Sequence, residues 1–288
     1  MNPRISILTL VHERRDHLVN LIMGLSRSKV MPNELVITFM NEAPYDDLPG
    51  LPFPIRMLRV DSAETAIPLA EARNGAVQQA DGDLLVFLDV DCIPDPALVG
   101  RFRQAAEQFD GLMMGDIRYL PPQTAFDPCN FPALRKKAVA HPDRPVVHEL
   151  VQPESRYELF WTLSFALQRE LWDRLGGLDE GFRGYGGEDT DLAFTTRKMD
   201  IPFALVDAVC YHQHHAVYRP PLQHFDDILV NAIRFHKKWD IWPMDGWLKA
   251  FADMGLIRWD KKSTEITRVR APSEEEIQAA RHEAPAGF

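Results

Sequence analysis

The chain has 288 residues and a formal net charge of −10, and 45% of its residues are hydrophobic and 26% charged. This composition is typical of a soluble globular protein with one sizeable core, and the negative charge argues against a protein that coats nucleic acid. The three widely spaced cysteines indicate neither a disulfide framework nor a thiolate zinc site, and they fit a reducing cytosol best.

The sequence shows no targeting pattern. No basic segment followed by an apolar stretch precedes the first strand pattern, so we expect no signal peptide. No apolar run reaches the roughly 18 residues that a membrane span needs. We therefore predict a cytoplasmic protein, with peripheral membrane contact left open by the aromatic side chains near the C-terminus.

Apolar, β-branched runs alternate with helical periodicity through the first part of the chain. The predicted strands span residues 5–11, 35–40, 55–60, 84–88 and 112–119, and the predicted helices span residues 15–26, 68–80 and 97–109. Strands that alternate with helices in this way predict βαβ units, and so an α/β fold with a mostly parallel central sheet flanked by helices.

The second part of the chain is less regular. Residues 120–155 are rich in Pro, His and Arg, and we interpret them as a long surface excursion of the kind that often forms a lid or binding loop. The elements predicted after it are a strand at 160–168, helices at 169–175 and from 188, short strands at 203–206 and 209–211, and helices at 224–238 and 247–254. We divide the chain into a domain at 1–221, with halves 1–119 and 120–221, and a helical extension at 222–288.

Two carboxylates follow the most apolar of these predicted strands. Asp89 and Asp91 come directly after residues 84–88, at the carboxyl end of the strand, where ligands bind in open α/β sheets. A pair at this spacing suits a hard divalent cation whose coordination a diphosphate completes. Taken alone, the pair could equally well end a strand and cap the next helix.

The turn after the first strand has no glycine. A dinucleotide site would need a Gly-x-Gly-x-x-Gly turn there, and a phosphate-binding Gly-x-x-x-x-Gly-Lys-Ser/Thr loop is also missing from the sequence. A bound nucleotide diphosphate would therefore need a metal ion to neutralise it, in agreement with the aspartate pair.

Other candidate residues lie on predicted helix starts and strand ends. Arg73 could reach a phosphate or a base edge, although a solvated arginine is the alternative. Asp189 follows a glycine-dense loop, so a ligand can come close and a carboxylate there could take the proton of a hydroxyl nucleophile. Acids in a first helical turn are also ordinary, and we expect the helix dipole to lower their pKa. The histidines in residues 211–215 predict a metal ligand or a surface cluster, but not a closed zinc site.

As an ordered set, these motifs resemble the inverting GT-A-fold glycosyltransferases of family 2. The second half resembles the C-terminal motif shared with the family 7 galactosyltransferases. The matching stretches are residues 9–14, 72–75, 87–91, 176–182, 184–192 and 211–212. The resemblance implies the GT-A, or nucleotide-diphospho-sugar transferase, fold and a galactosyltransferase-like hexosyltransferase. Residues 120–155 match no part of the family pattern.

The resemblance also implies a role for each candidate residue. The implied nucleotide-binding residues are Leu10, His12, Glu13, Asp61, Arg73 and Asp89. Asp91 and a histidine, His212 or alternatively His214, would hold Mn²⁺ or Mg²⁺. Asp189 would be the catalytic base and Glu188 would bind the acceptor or the donor sugar. The implied sugar- and acceptor-binding residues are Trp161, Tyr185, Gly186 and Gly187.

The functional hypothesis is therefore a metal-dependent inverting glycosyltransferase. It would move a sugar from a nucleotide-diphosphate donor, UDP-linked by resemblance, to a hydroxyl of a carbohydrate or lipid-linked acceptor, with no nucleic-acid partner. One alternative is a sugar-phosphate nucleotidyltransferase, which predicts a glycine-rich triphosphate loop that this sequence lacks. The other alternative is a carbohydrate-binding protein that kept the fold without catalysis.

Overall fold

The computed structural model of the protein describes residues 3–62 and 66–282. Its strands are β1 (Ile5–Val11), β2 (Glu34–Met40), β3 (Ile55–Val60), β4 (Leu84–Leu88), β5 (Cys92–Pro94), β6 (Leu112–Tyr119), β7 (Val139–Ala140), β8 (Val151–Glu154), β9 (Ser164–Gln168), β10 (Phe203–His212), β11 (Val217–Tyr218), β12 (Ile257–Arg258), β13 (Thr267–Arg268) and β14 (Arg281–His282). Its α-helices are α1 (Arg15–Leu25), α2 (Leu69–Gln79), α3 (Leu98–Ala106), α4 (Phe131–Lys137), α5 (Arg169–Leu175), α6 (Glu188–Lys198), α7 (Phe225–Trp239), α8 (Asp245–Asp253) and α9 (Glu274–Ala279).

One large mixed sheet runs through the molecule in the order β3-β2-β1-β4-β9-β6-β10-β5. The strands from β3 to β4 are parallel, and β6 is parallel to β10. Strand β9 lies antiparallel between β4 and β6, and β5 is antiparallel to β10. The predicted α/β fold with a mostly parallel central sheet is thus confirmed.

Both faces of the sheet are covered by helices, which is why the central strands β1 and β4 are buried along their whole length. In β1 every residue is buried, and consecutive side chains point to opposite faces. Ile7 joins a core cluster with residues of α1 and α3, whereas Leu8 joins the cluster on the other face with residues of α2 and α5. This two-sided burial leaves the carboxyl ends of the strands as the place where polar side chains gather.

The structure corrects three expectations in the second half. Residues 120–155 are not simply a surface excursion, because they contain α4, β7 and β8, and β8 pairs with β10. The strand predicted at 160–168 begins only at Ser164, after a turn. The two short strands predicted at 203–206 and 209–211 are one strand, β10, with an irregularity in its pairing between Val206 and Val209.

The C-terminal helices form a further apolar cluster of their own. Ile228, Leu229 and Ala232 of α7 pack with Leu248 and Phe251 of α8. The proposed division at residue 221 stays a prediction, since α7 also bonds to the loop before α6, and residues 283–288 of that extension lie outside the described residues. Among the helices in the described part of the chain, none combines the length and the apolar character needed to cross a membrane.

Candidate active site

The candidate site is built at the point where β4, β5 and β10 meet. Asp89 and Asp91 form the turn between β4 and β5, which is closed by a bond of 2.8 Å from the Cys92 N–H to the Asp89 carbonyl. Strand β5 then pairs with β10 so that Cys92 lies opposite His212. The N–H of Gln213 donates to the Asp91 carbonyl at 2.7 Å. The backbone therefore brings the end of β10 next to an aspartate more than a hundred residues earlier.

Three side chains at this junction form a possible metal-binding cluster. Candidate ligand atoms of Asp91, His212 and His215, called the metal set below, all lie within 4.8 Å of one another. One carboxylate and two imidazoles fit Mn²⁺ and other transition ions better than Ca²⁺ or Mg²⁺. Burial lowers the pKa of His212 to about 4, so its ring is neutral at physiological pH, as a metal ligand must be. The structure brings His215, rather than the predicted alternative His214, into this set.

Two residues from the start of α1 also reach this cluster. Arg14 Nη1 donates to Asp91 Oδ2 at 2.8 Å, and His17 Nδ1 makes a short hydrogen bond with Asp91 Oδ1. Burial alone would raise the pKa of Asp91, but the His17 bond and the Arg14 charge outweigh it and hold the pKa below its ordinary value. Asp91 is therefore an anion at neutral pH. Neither partner was predicted from the sequence, although residues three apart at a helix start lie on the same face of the helix.

A second group of side chains surrounds Arg73. This arginine is only 3% exposed, so the interpretation as a solvated side chain is wrong. Its Nη2 donates to Asp89 Oδ1 at 3.0 Å and to Thr162 Oγ1 at 2.9 Å, and its Nη1 donates to Glu188 Oε1 at 3.4 Å. Burial raises the pKa of Asp89 despite this arginine. Burial and the neighbouring charge of Asp189 also raise the pKa of Glu188, to about 7.

Asp189 lies beside this group in the first turn of α6. Its Oδ1 accepts hydrogen bonds from the Thr190 N–H at 2.6 Å and from Thr190 Oγ1 at 3.2 Å. Burial raises its pKa and outweighs the backbone N–H groups of the helix start, which lower it as expected, so the net shift is upward. A carboxylate with a raised pKa is a better proton acceptor than an ordinary aspartate.

The loop before α6, residues 181–187, is called the glycine loop below. Gly184, Gly186 and Gly187 have φ angles of +67°, +95° and +95°. A Cβ on Gly184 would lie 2.1 Å from an oxygen of Asp227, and one on Gly186 would lie 2.8 Å from the sulfur of Met244. Gly184 is thus packed closely against α7, and Gly186 against Met244 just before α8. The predicted sugar-binding role of Gly186 and Gly187 stays a prediction.

The two aromatic rings predicted to hold a sugar already have stacking partners. The Tyr185 ring stacks on His224 with a centroid distance of 4.4 Å. The Arg144 guanidinium lies 3.2 Å from the centroid of Trp161, and His141 approaches the same ring edge-on at 5.3 Å. Tyr185 also stacks with Trp247 at a centroid distance of 5.9 Å, so the neighbours of both rings already occupy part of the surface that a sugar would need.

The remaining predicted nucleotide-binding residues lie at the carboxyl ends of β1 and β3. Leu10 is buried, and His12 Nδ1 is 2.8 Å from a backbone carbonyl of β2. Glu13 has a φ of +56°. Asp61 Oδ1 accepts a hydrogen bond of 2.8 Å from Arg59 Nε. Because β3, β2, β1 and β4 are parallel, these residues lie at the same edge of the sheet as Asp91, and their role in nucleotide binding stays a prediction.

Two family models match the parts of the chain that supply this site. Residues 58–137 match glycosyl transferase family 2, and residues 144–215 match a family described as N-terminal domain of galactosyltransferase. The first segment contains Arg73, Asp89 and Asp91, and the second contains Asp189 and His212.

Known proteins and solved structures are similar to the chain. A validoxylamine A glucosyltransferase from Streptomyces hygroscopicus subsp. limoneus is 25% identical over 269 residues, which cover 82% of this chain and 57% of the relative. The chain spans about half the length of the curated relatives it matches. The structure of GalNAc-T7 with UDP, GalNAc and Mn²⁺ has a TM-score of 0.57 and 14% identity, covering 74% of this chain and 44% of that one.

The mannosyltransferase PcManGT from Pyrobaculum calidifontis, in complex with GDP-Man and Mn²⁺, has a TM-score of 0.52 and 16% identity over 83% of this chain and 64% of that one. At such identities the two structures show a common fold. The chain therefore has a GT-A fold, and the two segments that enclose its candidate site are similar to glycosyl transferase family 2 and to the galactosyltransferase family.

Proposed function

We propose that the protein transfers a sugar from a UDP-linked donor to an acceptor hydroxyl, with inversion at the anomeric carbon and with a divalent cation bound. The observation that carries this proposal is the bridge made by Arg73. It contacts Asp89, two residues before the metal ligand Asp91, and also Glu188, the neighbour of Asp189. These contacts support one common site for the metal set and Asp189, as a single displacement between donor and acceptor requires.

The metal set would hold the cation, which when bound neutralises the diphosphate leaving group. Mn²⁺ suits two imidazoles and a carboxylate better than Mg²⁺ does. Two similar structures contain Mn²⁺, one with UDP and one with GDP-Man, which supports a cation and leaves UDP to rest on the family resemblance.

Asp189 would take the proton from the acceptor hydroxyl as that oxygen attacks the sugar. Its raised pKa makes it a stronger base than a free aspartate. Glu188, with a pKa of about 7, is partly protonated at neutral pH and can both donate to and accept from a sugar hydroxyl. Because the hydroxyl replaces the leaving group in one step from the opposite face, the product has the inverted configuration.

The acceptor would be a carbohydrate or a lipid-linked hydroxyl compound. The curated relative is named for glucosyl transfer to validoxylamine A, so UDP-glucose is the first donor to test. The chain would work without a nucleic-acid partner, in line with its net charge of −10.

A screen of nucleotide sugars tests the proposal. Thermal stabilisation by UDP-glucose, UDP-galactose and UDP-N-acetylglucosamine should appear with Mn²⁺ and be weak without it, with GDP-mannose as the comparison. The donor that stabilises the protein is then followed by UDP release, and the anomeric configuration of the product is read by NMR. A product with the donor's own configuration would contradict the inverting mechanism.

A variant tests the assignment of the base. Asp189→Asn should lower turnover by about 100-fold or more, because a general base is lost, while the affinity for UDP with Mn²⁺ stays unchanged. Asp253→Asn makes the same chemical change at an exposed side chain of α8, paired with Lys249, and should keep full turnover. If the Asp189 variant keeps near-wild-type turnover, the base lies elsewhere.

A further inference from the structure

We propose that helix α7 of the C-terminal segment sets the position of the catalytic carboxylates, and that Asn231 is the positioning residue that fixes the glycine loop before them. This inference rests on the proposed function of Asp189 and deepens it. It assigns a role in the reaction to a segment that neither family model covers, since they match residues 58–137 and 144–215.

Both the Nδ2 and the Oδ1 of the Asn231 side chain make hydrogen bonds to the backbone of the glycine loop. Its side chain is fully buried, at 0% exposure. Its Nδ2 donates to the carbonyls of Arg183 at 2.9 Å and Tyr185 at 3.3 Å, and its Oδ1 accepts from the Arg183 N–H at 3.2 Å. A buried amide with these bonds holds three backbone groups of one loop at fixed positions.

Two glycines of the loop, Gly181 and Gly184, lie too close to side chains of the same helix to carry a Cβ. A Cβ on Gly181 would lie 2.0 Å from the guanidinium of Arg234, and one on Gly184 would lie 2.1 Å from the carboxylate of Asp227. The N–H of Tyr185 donates to Asp227 Oδ2 at 3.3 Å. The loop therefore lies against α7 at successive turns of the helix, and not only at Asn231.

Helix α6 is attached to α7 just beyond the catalytic pair. Asp191 is buried, and it accepts hydrogen bonds from Lys238 Nζ at 2.8 Å and Trp239 Nε1 at 2.7 Å. Glu188 and Asp189 thus lie between two segments that are hydrogen-bonded to α7: the glycine loop before them contacts Asn231, and Asp191 after them contacts Lys238 and Trp239. A change at Asn231 moves these carboxylates relative to the metal set, which sits on β10 and on the turns beside it.

A displacement of the catalytic base by about 1 Å can greatly slow the chemical step. We therefore expect the loss of Asn231 to act first on kcat. Asn231→Ala should lower kcat about 10–100-fold while the KM for the sugar nucleotide and the calorimetric Kd of UDP with Mn²⁺ stay within about twofold. Asn231→Asp is the second variant. It keeps the volume and one acceptor oxygen but loses both donated bonds, so it should show the same split between kcat and KM.

Leu229→Ala is the matched control, because Leu229 is buried in the C-terminal apolar cluster on the same helix. It should lower the Tm at least as much as Asn231→Ala does, yet keep kcat when assayed well below both transitions. Unchanged kcat in both Asn231 variants, parallel loss of UDP binding and kcat, or an equal loss of kcat in Leu229→Ala would each overturn the proposal.

Hydrogen exchange of the same three variants separates this inference from the proposed function. Amides of residues 183–192 should exchange faster in the Asn231 variants than in Leu229→Ala. If the wild-type protein releases no nucleotide from any sugar nucleotide, the proposed function fails, and the exchange result still decides whether Asn231 fixes the loop. Equal exchange in all three variants would refute it.

Discussion

Replacement of Arg73 by methionine tests the charge balance of the site most directly. Arg73 is 3% exposed and faces two carboxylates, Asp89 at 3.0 Å and Glu188 at 3.4 Å. Methionine keeps the length and the apolar part of the side chain, so Arg73→Met mainly removes the charge. Loss of one partner from a buried ion pair leaves an uncompensated charge, which costs about 3–5 kcal/mol of unfolding free energy.

The unfolding free energy lost in Arg73→Met should be larger at high pH than at low pH. Burial already raises the pKa of Asp89 and, with the charge of Asp189, brings the pKa of Glu188 to about 7. Without Arg73 both values rise further. A carboxyl group whose folded pKa is raised contributes stability below its unfolded pKa of about 4, and this contribution is lost as pH rises through the folded pKa. The cost of Arg73→Met is therefore greatest above pH 8 and smaller near pH 5.

Urea unfolding at pH 5.5 and 8.5 measures this difference. Arg101→Met is the matched control, since Arg101 pairs with Asp207 at 3.2 Å near the surface, where a lost ion pair costs at most about 1 kcal/mol at either pH. Adding Glu188→Gln to Arg73→Met should recover part of the loss at pH 8.5. A cost below about 1 kcal/mol, or the same cost at both pH values, would refute the reasoning.

Other predictions concern single residues. His215→Ala should weaken Mn²⁺ binding at least roughly tenfold by calorimetry, whereas His214→Ala should change it little, and equal losses would contradict the metal set. Glu188→Gln should become more stable relative to wild type by on the order of 1–3 kcal/mol as pH rises from about 4.5 to 8, because the pKa of Glu188 in the wild-type protein is raised to about 7. A stability difference that stays constant with pH in urea unfolding would contradict this. Gly184→Ala should lower the Tm by several degrees, because the φ of Gly184 is +67° and an added Cβ would lie 2.1 Å from a carboxylate oxygen. Gly246→Ala is the control, since a Cβ there meets nothing within 4 Å, and equal shifts in Tm would contradict the prediction.

The elements with a strong local pattern were predictable from the sequence. Strand β4 was placed at its observed bounds, Leu84–Leu88, because a run of buried apolar residues flanked by a turn and an acid has few other readings. The predicted C-terminal helix at 224–238 was found at Phe225–Trp239, since its apolar face repeats with helical spacing. In both cases the residues that decide the structure lie close together in sequence.

Features that depend on distant pairing were not predictable in this way. His17 meets Asp91 only because α1 packs beside the turn after β4, 74 residues away in sequence. His215 joins the same carboxylate because β5 pairs with β10 in one particular register. The positive φ angles of the glycine loop could be anticipated from composition, but the close packing of Gly184 against α7 could not, because no local pattern records which helix will lie there.

The site separates its carboxylates into two chemical kinds, and this separation supports the roles proposed for them. Asp91 has a lowered pKa because His17 and the charge of Arg14 outweigh its burial. Burial raises the pKa values of Asp189 and Glu188, and the charge of Asp189 raises the pKa of Glu188 further. An acid held as an anion suits a cation ligand, and an acid with a raised pKa suits proton transfer. Since all three are acids beside a strand end or a helix start, the difference arises from the side chains that surround them, and it exists only once the chain is folded.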